Sequence, residues 1–231
     1  MLWGMFPRTE VSGTVQLPAA ATYWMPKRSE IDEEGIGFFR DVWTITDVPF
    51  GEARSMVREE RRLATAVADL AETPEDFDRI AHVVETGLDG DREDVGPAER
   101  AVLEPVVSEE PPLDGLELGI AGLVYALAAV GMVPAASCRG HCDERAWSDH
   151  PVVLFAATRY RAQALAGLIE PTGCRFDIDP ARPDLLLVAG RSIGDTMSLA
   201  EAILAARQTF IQSRPARSRG RTAPAVQDPL F

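Results

Sequence analysis

The 231-residue chain has only three cysteines, a single lysine (Lys27) and few aromatic residues. Three cysteines are too few, and an odd number, for a disulfide scaffold; they suit a reducing, cytoplasmic compartment. With 36 acidic residues against 23 basic ones the net charge is −13, and the basic face that general nucleic-acid binding needs is missing. Nothing in Met1–Pro18 has the basic, apolar and small-residue pattern of a signal sequence, so none is expected. Leu118–Ala136 carries no charge and has the length of a membrane span. Its Gly and Ala content, the helix-ending Gly131 and Pro134, and the lack of flanking Lys or Arg clusters instead predict a buried helix, and no membrane partner is expected.

What is present is ordinary globular material, 46% apolar and 26% charged. Charge divides it into three regions. Residues 1–112 hold 24 acids and 11 bases, net −13; residues 113–212 hold 11 acids and 8 bases, net −3; residues 213–231 hold one acid and four arginines, net +3. The first region reads as acidic and mainly helical, and the second as an α+β domain. The third, without apolar periodicity, reads as a disordered Arg-rich tail. Glu109-Glu110-Pro111-Pro112 is the candidate linker.

In the first region, Phe38–Val48 reads as a strand and Glu52–Glu72 as a helix. Thr73-Pro74 opens a second helix that Gly87 ends, and a shorter one runs from Pro97 to Val107. His82, alone on the second helix, reads as an ordinary helix residue. The charged loop Gly87–Gly96 lacks the spacing of a calcium loop. In the second region Asp114-x-x-Glu117 has the form of a capping box opening an apolar helix. A short strand over Met132–Ser137 follows, then the continuously apolar Pro151–Ala156, expected to be covered on both faces or to lie at a sheet centre. A helix from Thr158 to Glu170, the strands Cys174–Ile178 and Asp184–Ala189, expected to pair as a hairpin across the short turn Asp179-Pro-Ala-Arg-Pro, and a helix marked by Asp195 or Thr196 and Ser198-x-x-Glu201 complete a ββα-ββα order. The fold class expected is α+β, with a largely antiparallel four-stranded sheet and helices on one face.

The loop Ser137–His150 concentrates two of the three cysteines and two of the three histidines. Three chemistries compete for it. As a ligand or catalytic pocket, Cys138 is the nucleophile or redox thiol and His141 the acid/base, with Asp143 or Asp149 orienting its ring. Arg139 would bind an anionic group and also favour a thiolate, and Gly140 would let a substrate approach the backbone. Ser137, Arg139, Gly140, Asp143, Trp147 and Asp149 are then the candidate ligand-binding residues. As a metal site, Cys138, His141, Cys142 and His150 supply thiolate and imidazole ligands, although adjacent His141 and Cys142 share one tetrahedron only with a sharp bend. As a structural loop, Cys138 is a small buried hydrophobe and Trp147 staples the loop down. Cys174 reads as core.

The order apolar helix, Gly131-x-x-Pro134-x-x-Ser137-Cys138-x-Gly140-His141, then Pro151-Val-Val-Leu-Phe155 resembles a Ser-Cys-x-Gly-His module of uncharacterised bacterial proteins. It is more distantly similar to the Ser-Cys-Ser-Gly-Arg region of the tRNA wybutosine-synthesis methyltransferases. The likeness spans residues 116–190 and implies that Ser137, Cys138, Gly140 and His141 belong to a functional loop. His141 stands where the methyltransferases have Arg, and this chain is acidic where a tRNA enzyme offers a basic surface. The function expected is a small-molecule or nucleotide site at Cys138–His141, with a small anionic ligand. The alternative is a non-enzymatic interaction or regulatory protein whose acidic first half docks a basic protein partner and whose loop is structural or zinc-binding. No cofactor is specified.

Overall fold

The computed structural model describes residues 9–32, 35–36, 45–87, 96–105, 107, 112–141, 148–180 and 182–211. Ile31–Asp32 (β1) and Gly35–Ile36 (β2) form a small antiparallel ladder that the sequence reading missed. Helices follow at Phe50–Leu70 (α1), Pro74–Thr86 (α2), Pro97–Leu103 (α3) and Ala121–Ala129 (α4). Then come strands Val133–Cys138 (β3) and Val152–Ala156 (β4), helix Arg159–Thr172 (α5), strands Arg175–Asp177 (β5) and Leu186–Ala189 (β6), and helix Ile193–Ala205 (α6). The protein is α+β. Its four-stranded sheet has the order β3-β4-β6-β5, with every pairing antiparallel.

Local chemistry sets most of these boundaries. Thr73 Oγ1 accepts the Asp76 N–H at 3.1 Å, and Pro74 occupies the first turn, where its missing N–H costs nothing. Thr158 caps α5 in the same way, accepting from Arg161 N. On α1, Ala53, Met56, Val57, Leu63, Ala64 and Val67 recur at helical spacing and are all buried. α4 is buried on all sides from Ala121 to Ala128, because α1 and α6 pack against it and β3 follows directly. Among the described residues no helix is long and apolar enough to cross a membrane.

Alternation sorts β4 between two layers. Val153 and Phe155 face the helices in one large core, which also takes in Phe176 and Val188 of the sheet and buried residues of α1, α2, α4, α5 and α6. Leu154 and Ala156 face the opposite side, where Trp24, Met25 and Ile31 of the N-terminal segment cover them. Trp24 Nε1 anchors this cover by donating to the Asp184 carbonyl at 2.6 Å. The unbroken apolar run of β4 is thus explained by cover on both faces.

Two helix starts differ from the sequence reading. The Asp114-x-x-Glu117 pattern does not cap α4. Asp114 and Gly119 both have positive φ, which breaks the helix path, and regular helix begins only at Ala121. The last helix starts earlier than Asp195 or Thr196: Ser192 is its N-cap residue, and Thr196 is buried inside it, its hydroxyl donating to the Gly119 carbonyl. The third helix stops at Leu103. Of the expected strand Phe38–Val48, residues 38–44 lie outside the described residues and 45–48 are irregular. Residues 109–111 of the candidate linker and the tail beyond 211 also lie outside them.

Candidate functional site

β3 delivers Cys138 to the edge of the sheet, paired with Val152 of the central strand. The chain then turns at Gly140, whose φ of +81° favours glycine. A Cβ there would lie 2.7 Å from the backbone of His150. The close approach expected of Gly140 is therefore made to this chain's own backbone rather than to a substrate. Gly140→Ala is expected to cost about 1–3 kcal/mol through backbone strain and overpacking; an unchanged melting temperature would show that the turn yields freely.

Three carboxylates from outside the loop close on it. Asp78 and Glu85 come from α2, and Glu117 from the irregular turn before α4. The Arg139 guanidinium, 4% exposed, pairs with Asp78 and lies 2.9 Å from Glu85 Oε1 through its Nε. Its backbone N–H donates to Glu117 Oε2 at 2.6 Å. Glu85 Oε1 also accepts the Leu118 N–H at 2.7 Å. The anion-binding role expected of Arg139 is filled by the chain's own carboxylates, so its guanidinium offers little to an anionic ligand.

His141 bridges two of these acids. Nδ1 lies 3.3 Å from Asp78 Oδ1, and Nε2 lies 2.9 Å from Glu117 Oε1. The Asp78 contact, then those to Cys138 and Glu117, push the imidazole up to about 12. With both nitrogens facing carboxylates, the surroundings favour the positively charged ring. A general base poised near neutral pH needs a free lone pair, so this geometry does not supply one. Burial pushes Glu85 up to about 7 against the pull of Arg139. Burial opposes ionisation of Glu117 and Asp78 as well, but His141 and Arg139 outweigh it and hold both below the usual carboxylate range.

Cys138 is 2% exposed, and its sulfur accepts the Gly140 N–H at 3.4 Å. Glu117, Cys138 and His141 bring one donor atom each within 4.8 Å of one another. The side chains of His141, Asp78 and Glu117 are 26, 28 and 33% exposed, so the cluster has a buried floor of thiol and guanidinium under a partly open carboxylate rim.

The other candidates are placed differently. Ser137 pairs with Val153 on β3 and by strand alternation points away from Cys138. The Asp149 carboxylate is exposed and sits 2.5 Å from His150 Nδ1, so it orients His150 rather than His141. His150 is not among the converging donors. Cys142, Asp143 and Trp147 lie outside the described residues. Cys174 is core, and His82 is exposed on α2. Sequence reasoning missed Asp78, Glu85 and Glu117. The signal for the first two was an i, i+7 acidic pair flanking the apolar stripe Phe77, Ile80, Ala81 and Val84.

Fold and site together define an α+β protein with a buried guanidinium and thiol beneath an imidazole held between carboxylates. No protein-family model, curated protein or solved structure matches the chain.

Proposed function

We propose that the protein binds a small ligand at the Cys138–His141 turn, with the Cys138 sulfur as the functional atom and Asp78, Glu117 and His141 as the open wall. The observation that carries this reading is the convergence of Asp78, Glu85 and Glu117, from two separate segments, on one turn. Burying charges in this way is an inefficient route to stability, because well-packed apolar residues of the same volume often do as well. A partly open wall of carboxylates suits a ligand with cationic or hydrogen-bond-donating groups. It suits a nucleotide's phosphates poorly.

The site sits beside a small satellite cluster. Cys138 packs with Val152 and Ala189 in a three-residue cluster apart from the main core, whereas Cys174 lies in the main core and burial pushes its thiol up to about 12. Local opening over Cys138 is therefore the easier of the two. Iodoacetamide labelling of the chelator-treated chain, mapped by peptide mass, which separates Cys142, is expected to modify Cys138 at least about tenfold faster than Cys174, an opening difference of about 1.4 kcal/mol. Equal, slow labelling of both would remove the site reading.

A further inference from the structure

We infer that Glu117, Cys138 and His141 hold a zinc ion whose fourth position is open to the small ligand; the inference rests on the ligand-site reading above. Their donor atoms lie within 4.8 Å of one another, and ligands around tetrahedral zinc are separated by about 3.4–3.6 Å given the usual bond lengths. Closure needs the Glu117 Oε1–His141 Nε2 pair, 2.9 Å apart, to open by about 0.5 Å and the wider separations to close by about 1 Å, within reach of side-chain adjustment.

The surroundings of each donor favour the assignment more than the triplet itself does. His141 Nδ1 faces Asp78 Oδ1, which leaves Nε2 on the side of Glu117. A carboxylate on the far nitrogen is the usual outer partner of a zinc-bound histidine and fixes which nitrogen coordinates. Glu117 has one oxygen toward His141 and the other held by the Arg139 N–H, so the carboxylate is already oriented. The Cys138 sulfur accepts the Gly140 N–H. The turn supplies the spacing: Gly140 folds the chain back so that the residue three after Cys138 reaches the same side.

Charge is compatible with the assignment: zinc would take the place of the His141 and Cys138 protons, leaving the balance of Asp78, Glu85 and Glu117 against Arg139 unchanged. The mixed sulfur, nitrogen and oxygen donors select the metal. Calcium and magnesium take oxygen ligands, whereas four-coordinate zinc accepts all three types, and its catalytic sites keep three protein ligands with one open position. The partial exposure of Glu117 and His141 leaves that position reachable. The donor set differs from the one expected from sequence: Glu117, 21 residues ahead of Cys138, converges with Cys138 and His141, and His150 does not.

The full chain, stripped with a chelator, is to be titrated with zinc against a chromophoric competitor, and with cobalt followed by absorbance. Expected are one equivalent bound per chain, a dissociation constant below about 1 μM, and a sulfur-to-cobalt charge-transfer band with intense four-coordinate d–d absorption. Glu117→Gln and Asp78→Asn should each weaken zinc at least about tenfold while circular dichroism stays unchanged. Cys138→Ser should abolish the charge-transfer band and Cys142→Ser should keep it. Sub-stoichiometric binding, or a band that survives Cys138→Ser, overturns the assignment. Selective alkylation of Cys138 without zinc binding overturns the metal and leaves the ligand site standing; slow alkylation without zinc overturns both.

Discussion

Arg139→Met is expected to destabilise the protein by about 3–5 kcal/mol, the range for removing one partner of a buried ion pair. Arg139 is nearly inaccessible and is the counter-charge for Asp78 and for Glu85, whose side chain is 9% exposed. Methionine fills much of the same volume, so the loss measures the stranded charges rather than a cavity. For a chain of this length it corresponds to a melting temperature lower by roughly 10 °C. Neutralising the stranded acid should recover much of it: Arg139→Met with Glu85→Gln is expected to regain at least half the loss. Arg139→Lys should recover less, because an ammonium cannot span two carboxylates as a guanidinium does. Chemical denaturation of the four proteins at neutral pH checks this. A loss under about 1 kcal/mol for Arg139→Met, or no recovery in the double variant, would show that Glu85 is already neutral or solvated without its partner.

This cluster also marks where local sequence rules stopped. The start of α2 was legible in Thr73-Pro74, because a cap and its proline act within one turn. The central position of β4 was legible in its unbroken apolar run, since only cover on both faces tolerates one. The pairing of β5 with β6 followed from their short connection. Cys138, Arg139, Gly140 and His141 stood out by composition alone. Their partners did not. Glu117 sits in a pattern that local rules assign to a capping box, yet positive φ at Asp114 and Gly119 delays the helix to Ala121 and frees the carboxylate to reach Arg139 and His141. Asp78 and Glu85 lie on an acidic helix, where most such residues face water. Only the docking of α2 beside the β3 turn, more than 50 residues later in sequence, turns them inward. Nor could sequence show that Arg139 would be used internally: an arginine in a reactive loop looks the same whether its anion is a ligand or a neighbouring helix.

Glu60→Gln is expected to stabilise the protein by about 3 kcal/mol at pH 8.5 and by less than about 1 kcal/mol at pH 5. Glu60 lies within the buried stripe of α1 and is 1% exposed. Its carboxylate faces the amides of Gly119, Ala121 and Gly122 at the start of α4 without closing a well-formed hydrogen bond with any. Gly122 makes room for it, since a Cβ there would overlap the Glu60 Oε2. A helix N-terminus favours an anion, but burial outweighs that attraction and pushes Glu60 up to about 7 from 4.5. Between those values the folded chain holds a proton that the unfolded chain has released. The stabilising contribution of the neutral carboxyl is full below about pH 4.5 and is lost as pH rises through 7, where the buried group must ionise. Glutamine keeps the shape and never ionises, so the difference between variant and parent isolates this one group from every other titration in the chain. Urea denaturation at several pH values should give curves that converge at pH 5 and separate by pH 8.5; parallel curves would mean that Glu60 ionises in the fold as freely as it does in water.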